Sequence, residues 1–221
     1  MSIRLIDTTT LRMKLFVGED IPQYAILSHT WIEDEEVDFR EMTALVDNHK
    51  HFARWKSGYL KIWFTCEQAR RHELPYAWID TCCIDKSSSA ELSQAINSMF
   101  KWYRDAKVCF AFLSDLHLPS GSCNDRAMRA MRDCRWFRRG WTLQELIAPP
   151  SLRFYNSAWE FVESKSQLKS LFRSITGVDE DVLSDSACLP EIPLARRMSW
   201  PPSVRPHESK TWLIVFWGSS T

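Results

Sequence analysis

Short apolar runs separated by amphipathic stretches constrain this chain more than any other feature. Residues 24–28 (YAILS), 76–79 (YAWI), 108–113 (VCFAFL) and 152–155 (LRFY) are each of strand length, and VCFAFL is apolar throughout, as a strand buried on both faces requires. Between them, residues 58–71 read as a helix with Ile62, Cys66 and Ala69 on one face, closed off by Pro75. Ser88 and Glu91 form a capping-box pattern that opens a second helix, with Leu92, Ile96, Met99, Phe100 and Tyr103 as its expected core face. A third helix surrounds Glu145, and the acidic stretch 33–41 (EDEEVDFRE) reads as a solvated loop. Strands alternating with helices over such short connections predict an α/β fold, a mostly parallel central sheet flanked by helices. Ligands of such folds bind beyond the carboxyl ends of the strands. The first two runs turn polar there, at Ser28–His29–Thr30 and at Asp80.

Composition narrows the class. A chain of 221 residues is expected to form one domain that buries roughly 70% of its unfolded surface. Eleven Trp, 12 Phe and only 6 Gly describe a packed core, not a disordered chain. Lys plus Arg equals Asp plus Glu at 28 each, so no net field favours nucleic acid or an anionic membrane. The opening 20 residues hold no signal-like apolar stretch, and no run approaches the ~18 apolar residues of a membrane helix. Seven cysteines without a regular spacing fit a reducing compartment, and the expected location is cytoplasmic.

Chemistry concentrates around WFRRGWTLQELIAPP, residues 136–150. Trp141 and Glu145 stand one helical turn apart, so a stacking wall and a carboxylate share a face. Glu145, taken alone, reads as an exposed helix residue or an ion-pair partner of Arg138 or Arg139. Trp141 reads first as a core anchor. His29 suits either a turn cap or a phosphate contact, and Asp80 and Asp85 suit helix capping ahead of catalysis. Cys82 and Cys83 lack a second Cys or His pair at ligand spacing, so no metal is expected; Cys66, Cys109 and Cys134 read as buried thiols. Arg126, Arg129, Arg132, Arg135 and Arg138 recur every third residue. That spacing spirals around a helix and describes a solvated surface, with an electropositive rim for a pyrophosphate as the functional alternative.

The strings YAILSHTW, WIDTCCIDK, AELSQAINSMFKWYRDAKVCFAFLSD and WFRRGWTLQELIAP resemble, in order and spacing, the fungal heterokaryon-incompatibility (HET) domain over roughly residues 24–200. A more distant similarity runs to Toll/interleukin-receptor (TIR) domains, whose Trp-Cys-x-x-Glu helix supplies the acid that cleaves NAD in the enzymatic members. This resemblance implies a TIR-like, flavodoxin-like three-layer arrangement with HET-specific insertions. It also implies Glu145 as catalytic carboxylate, with Ser28, His29, Trp31, Asp80, Arg139 and Trp141 around the substrate. Thr142 stands where the TIR pattern has Cys. NAD would be a substrate, not a cofactor. The implied setting is programmed cell death after non-self recognition, with self-association, an incompatibility partner protein, and neither nucleic acid nor membrane as partners. A non-enzymatic signalling module and an inactive truncated copy are the competing expectations.

Residues 1–23 read as a lead-in and 24–200 as the domain; 201–221 depart from the family. After RMSW the family continues with a pattern like A-x-x-R-x-T-T-R-x-E-D-x-A-Y-C-L-L-G-I-F. Suitable codons for PPSVRPHESKTWLIVFWGSST, preceded by one G and read in the new frame, give ASKRETTRVEDMAYCLLGIFD. The tail is therefore expected to be the product of a single-nucleotide frameshift or a misplaced splice junction after Trp200. Pro201, Pro202 and Pro206 oppose a helix, and WLIVFW is β-prone and uncharged, so a loosely packed tail is expected.

Overall fold

In the computed structural model, residues 2–48, 51–118, 125–139 and 141–200 are described. The tail 201–221 lies outside the described residues, as do Gly140 and the side chain of Arg126. The chain divides into two compact units, Met1–Leu27 with Trp31–Met99, and Ser28–Thr30 with Phe100–Thr221.

In the first unit, the lead-in is a hairpin. Strands β1 (Ser2–Asp7) and β2 (Met13–Val17) pair antiparallel, and Asp7 Oδ1 accepts from the amides of Thr9 and Thr10 at 3.1 and 2.9 Å to turn the chain between them. Strand β3 (Tyr24–His29) is buried at every position, as the apolar run Tyr24–Leu27 demands, and the burial extends to the polar Ser28 and His29. After α1 (Phe39–Asp47) and α2 (Ser57–Arg71), strand β4 (Tyr76–Trp78) joins β3 in parallel, Ala25 opposite Ala77. β1 lies antiparallel on the other side of β4, Ile6 opposite Ala77.

The acidic stretch 33–41 is not a free loop. Asp38 caps α1 in a full capping box with Glu41, and Val37 is buried. Lys61, also buried, pairs with Glu36, and Lys56 pairs with Glu41 at 2.7 Å. Glu35 accepts from the Ser57 amide at the start of α2, and that bond holds its carboxyl below the ordinary range, as an acid at a helix N-terminus should be held. Gly58 makes this docking fit. A Cβ there would stand 2.6 Å from the Glu35 carbonyl oxygen and 2.8 Å from Glu36 Cα. The lysines that neutralise these acids lie some twenty residues away, so composition alone showed only a charged run.

Helix α3 (Ser89–Asp105) also departs from expectation. Met99 and Tyr103 are buried as expected, together with Ala95 and Trp102, whereas Leu92, Ile96 and Phe100 are only half-buried, so the packed stripe is shifted toward Ala95 and Trp102. The Ser88 hydroxyl does accept from the Glu91 amide at 3.3 Å. Glu91 itself turns to the Asp85 amide and to Arg4, at 2.8 and 2.5 Å, instead of closing the box.

In the second unit, β5 (Val108–Phe112) pairs in parallel with β6 (Leu152–Tyr155), Ala111 opposite Phe154, and β6 pairs antiparallel with β7 (Phe161–Ser164). Between β5 and β6 lie α4 (Asp125–Asp133) and α5 (Thr142–Ile147); α6 (Lys169–Thr176), α7 (Glu180–Ser184) and α8 (Leu194–Met198) follow. The core is aromatic: Trp136 meets Phe154 edge-on at 5.6 Å, and Phe172 lies 5.0 Å from Phe154. Edge contacts of this kind add to the area that such rings bury. The fold is α/β, as expected, with parallel β3–β4 and β5–β6 pairs and antiparallel pairing at β1, β2 and β7. Arg129, Arg132, Arg135 and Arg138 are exposed while Met131 and Cys134 are buried, the solvated arrangement that their spacing describes.

Candidate functional site

The acid comes from the shortest helix to carry a candidate. α5 spans six residues, all buried, and too few for a helix that stands on propensity alone. It is held at both ends. At the start, Thr142 donates through Oγ1 to the Arg139 carbonyl at 2.6 Å, a bond that a Cys in its place would form only weakly. At the finish, the Lys165 ammonium donates to the carbonyls of Leu146, Ile147 and Pro149 at 3.2, 3.5 and 2.6 Å. These oxygens belong to the turn in which a helix lacks its own donors. Burial of Lys165 brings its pKa down to about 8.

Glu145 is 4% exposed, so it is not the solvated helix residue that its neighbours suggested. Its Oε2 accepts from Ser28 Oγ at 2.5 Å, and Ser28 Oγ in turn accepts from Trp136 Nε1 at 2.7 Å. Ser28 stands at the end of β3 because the apolar run stops there; the next residue, His29, is equally buried and takes a hydrogen bond on its carbonyl from the Arg139 guanidinium. Thr30 Oγ1 lies 3.3 Å from Ser114 Oγ, beyond β5. Cys109, on β5, has its thiol pushed well up, first by burial and then by the charge of Glu145.

The second unit therefore brings Ser28, His29, Arg139 and Glu145 together. Trp141 precedes α5 with helical dihedrals and is half-buried, neither a sealed core anchor nor an open wall. Trp31 and Asp80 form their own pair in the first unit: the indole donates to Asp80 Oδ2 at 2.9 Å, and the Lys86 ammonium stands 3.8 Å over the same ring. Asp80 thus accepts from Trp31. Asp85 accepts from the Ser87 amide and hydroxyl at 3.0 and 2.6 Å, in the turn that leads into α3, and the cap contact of that helix comes from Ser88.

Sequence reasoning missed Trp136, which reads as one more core aromatic in WFRRGW. The available signal was chemical: an indole N–H that is buried needs an acceptor, and Ser28 was the polar end of a buried strand. Cys66, Cys109 and Cys134 are buried free thiols, as their apolar surroundings indicated. Among the described residues, no group of three or more His, Cys, Asp or Glu is placed to hold a metal ion, and no helix is long and apolar enough to cross a membrane.

Residues 24–130 match the family model described as "Heterokaryon incompatibility protein (HET)". Over 183 residues, the chain is 43% identical to "Vegetative incompatibility protein HET-E-1" of Podospora anserina, an alignment that takes in 81% of this chain. The chain spans 13% of the length of that relative. No solved structure matches it significantly.

Proposed function

The chain belongs to the heterokaryon incompatibility family, and we propose that it acts in fungal non-self recognition and programmed cell death by cleaving NAD at its nicotinamide–ribose bond, with Glu145 as the catalytic carboxylate. The observation that carries this reading is the Ser28–Glu145 hydrogen bond of 2.5 Å at the end of β3. A carboxylate that accepts a hydroxyl proton is favoured in its charged form, and the charged form is the one this chemistry needs. Breaking an N-glycosidic bond develops positive charge on the ribose, as in glycoside hydrolysis. A carboxylate beside the sugar stabilises that charge or orients a hydroxyl. Nicotinamide leaves readily, so no separate general acid is required. Arg139, held against the His29 carbonyl, is the cation nearest in sequence to α5 for a pyrophosphate. The resemblance to TIR domains gives the same roles to the same positions.

The burial of Glu145 favours a second reading. An acid that is 4% exposed serves equally well as a core hydrogen-bond acceptor, and the chain would then signal by self-association without chemistry. The deciding experiment follows NAD in cells that express the chain as given, residues 1–200 followed by the family-like frame, and Glu145→Gln in each. Enzymatic action predicts NAD loss that vanishes with Glu145→Gln. Cell death with NAD intact in every form would refute it and support the module. NAD loss from the family-like frame alone would mark the chain as given as an inactive copy.

A further inference from the structure

Ser28 Oγ sits between two partners that leave it no choice of role. An indole nitrogen donates and never accepts, so Trp136 takes a Ser28 lone pair across 2.7 Å. The only Ser28 proton then goes to Glu145 Oε2, 2.5 Å away. Trp136 and Ser28 are each 1% exposed, so water does not compete for either bond. Trp136 is itself fixed, edge-on to Phe137 at 4.8 Å and to Phe154 at 5.6 Å. Its backbone lies in the 3-10 turn Arg135–Arg138, and the next residue, Arg139, is tied to the carbonyl beside Ser28. The turn and the strand end are thus joined twice, once between side chains and once from the Arg139 side chain to a backbone carbonyl.

We propose that Trp136 is a positioning residue for Glu145, acting through Ser28 to point a hydroxyl proton at the carboxylate and so keep it charged in a buried setting. This rests on the reading that Glu145 does chemistry. With the indole in place, Ser28 can only offer its proton to Glu145, and a neutral carboxyl oxygen accepts that proton more weakly than a carboxylate does, so the fixed donor favours the charged form. Without the indole, the Ser28 hydroxyl can turn and accept from the protonated acid, and the preference for the charged form falls. Among the ionisable groups nearby, Cys109 on β5 feels the Glu145 charge and stays a thiol, while Arg139 is engaged with the His29 carbonyl.

Two measurements test this. The first uses protein carrying 15N-labelled indoles, with the Trp136 N–H resonance assigned by its absence from Trp136→Phe. That resonance should shift in one step as the wild-type protein is acidified, and the step should be missing in Glu145→Gln. A resonance that ignores both pH and Glu145→Gln overturns the relay, and this arm requires no activity. The second is the pH profile of NAD loss. Removing a donor of about 1 kcal/mol corresponds to an approximately fivefold larger loss of activity in Trp136→Phe on the acid limb than on the alkaline limb. Equal losses at every pH, with wild-type activity dependent on Glu145, overturn the relay and leave the glycohydrolase reading standing. If the wild type spares NAD while its Trp136 resonance follows Glu145, the relay stands and the glycohydrolase reading fails.

Discussion

Lys165→Met isolates the cost of a charge under the acid-bearing helix. Lys165 is 4% exposed and its ammonium holds three carbonyls at the end of α5. Burial, the largest influence, lowers its pKa from the ordinary 10.5 to about 8. At neutral pH the ammonium is protonated in both states. Between these two values the unfolded chain keeps its proton while the folded chain releases it, so the unfolded state binds more protons and stability rises with pH. From pH 7 to pH 9.5 the gain assigned to Lys165 is about 2 kcal/mol, out of about 3 kcal/mol available across the full interval. Buried thiols act in the opposite sense. Cys66 and Cys134 are pushed to about 12 and Cys82 and Cys109 well above 9.0, so each withdraws stability as pH rises through the unfolded thiol range. Their contribution cancels between wild type and Lys165→Met, because both proteins contain the same cysteines. Urea unfolding followed by tryptophan fluorescence under reducing conditions, at several pH values, measures the difference. The stability of wild type relative to Lys165→Met should climb by about 2 kcal/mol from pH 7 to pH 9.5. A difference that stays flat would refute the idea of a strained buried cation and make Lys165 an ordinary cap.

Two further expectations concern the scaffold. Gly58→Ala drives a methyl into the Glu35 carbonyl and Glu36 Cα, and should lower stability by about 1–3 kcal/mol, the usual cost of overpacking; an unchanged melting temperature would mean that the acidic stretch lifts off freely. Cys66, Cys82, Cys109 and Cys134 are buried and kept protonated. In the folded chain at mild alkaline pH they should resist iodoacetamide and should react once denaturant is added; mass-spectrometric labelling of any of them at the rate of half-exposed Cys188 would contradict their burial.

The apolar runs were legible because a strand with both faces covered has to be apolar at every position. Residues 108–113 therefore announced β5, and the shorter runs 24–28 and 152–155, broken only by Ser28 and Arg153, announced β3 and β6, each to within a residue. The hairpin β1–β2 was not legible, since MKLFV alternates only weakly and its turn depends on Asp7 folding back on two amides. The stripe of α3 was legible at Met99 and Tyr103 but not at Leu92, Ile96 and Phe100, because periodicity fixes which residues share a face, not which of two adjacent faces finds the better packing. Lys56 and Lys61 looked like solvated charges until α2 brought them to Glu41 and Glu36.

For the candidate site, the sequence by itself determined that a carboxylate would follow Trp141 by one helical turn and that Ser28 would end a buried strand. Both follow from local patterns of spacing and polarity, which act over a few residues. Only tertiary structure decided that Glu145 is closed from solvent, that Ser28 is its donor, and that Trp136 orders that donor. Those contacts link residues 108 and 117 positions apart. Each bond is directional and is met only after the core has packed, and no local pattern carries such information.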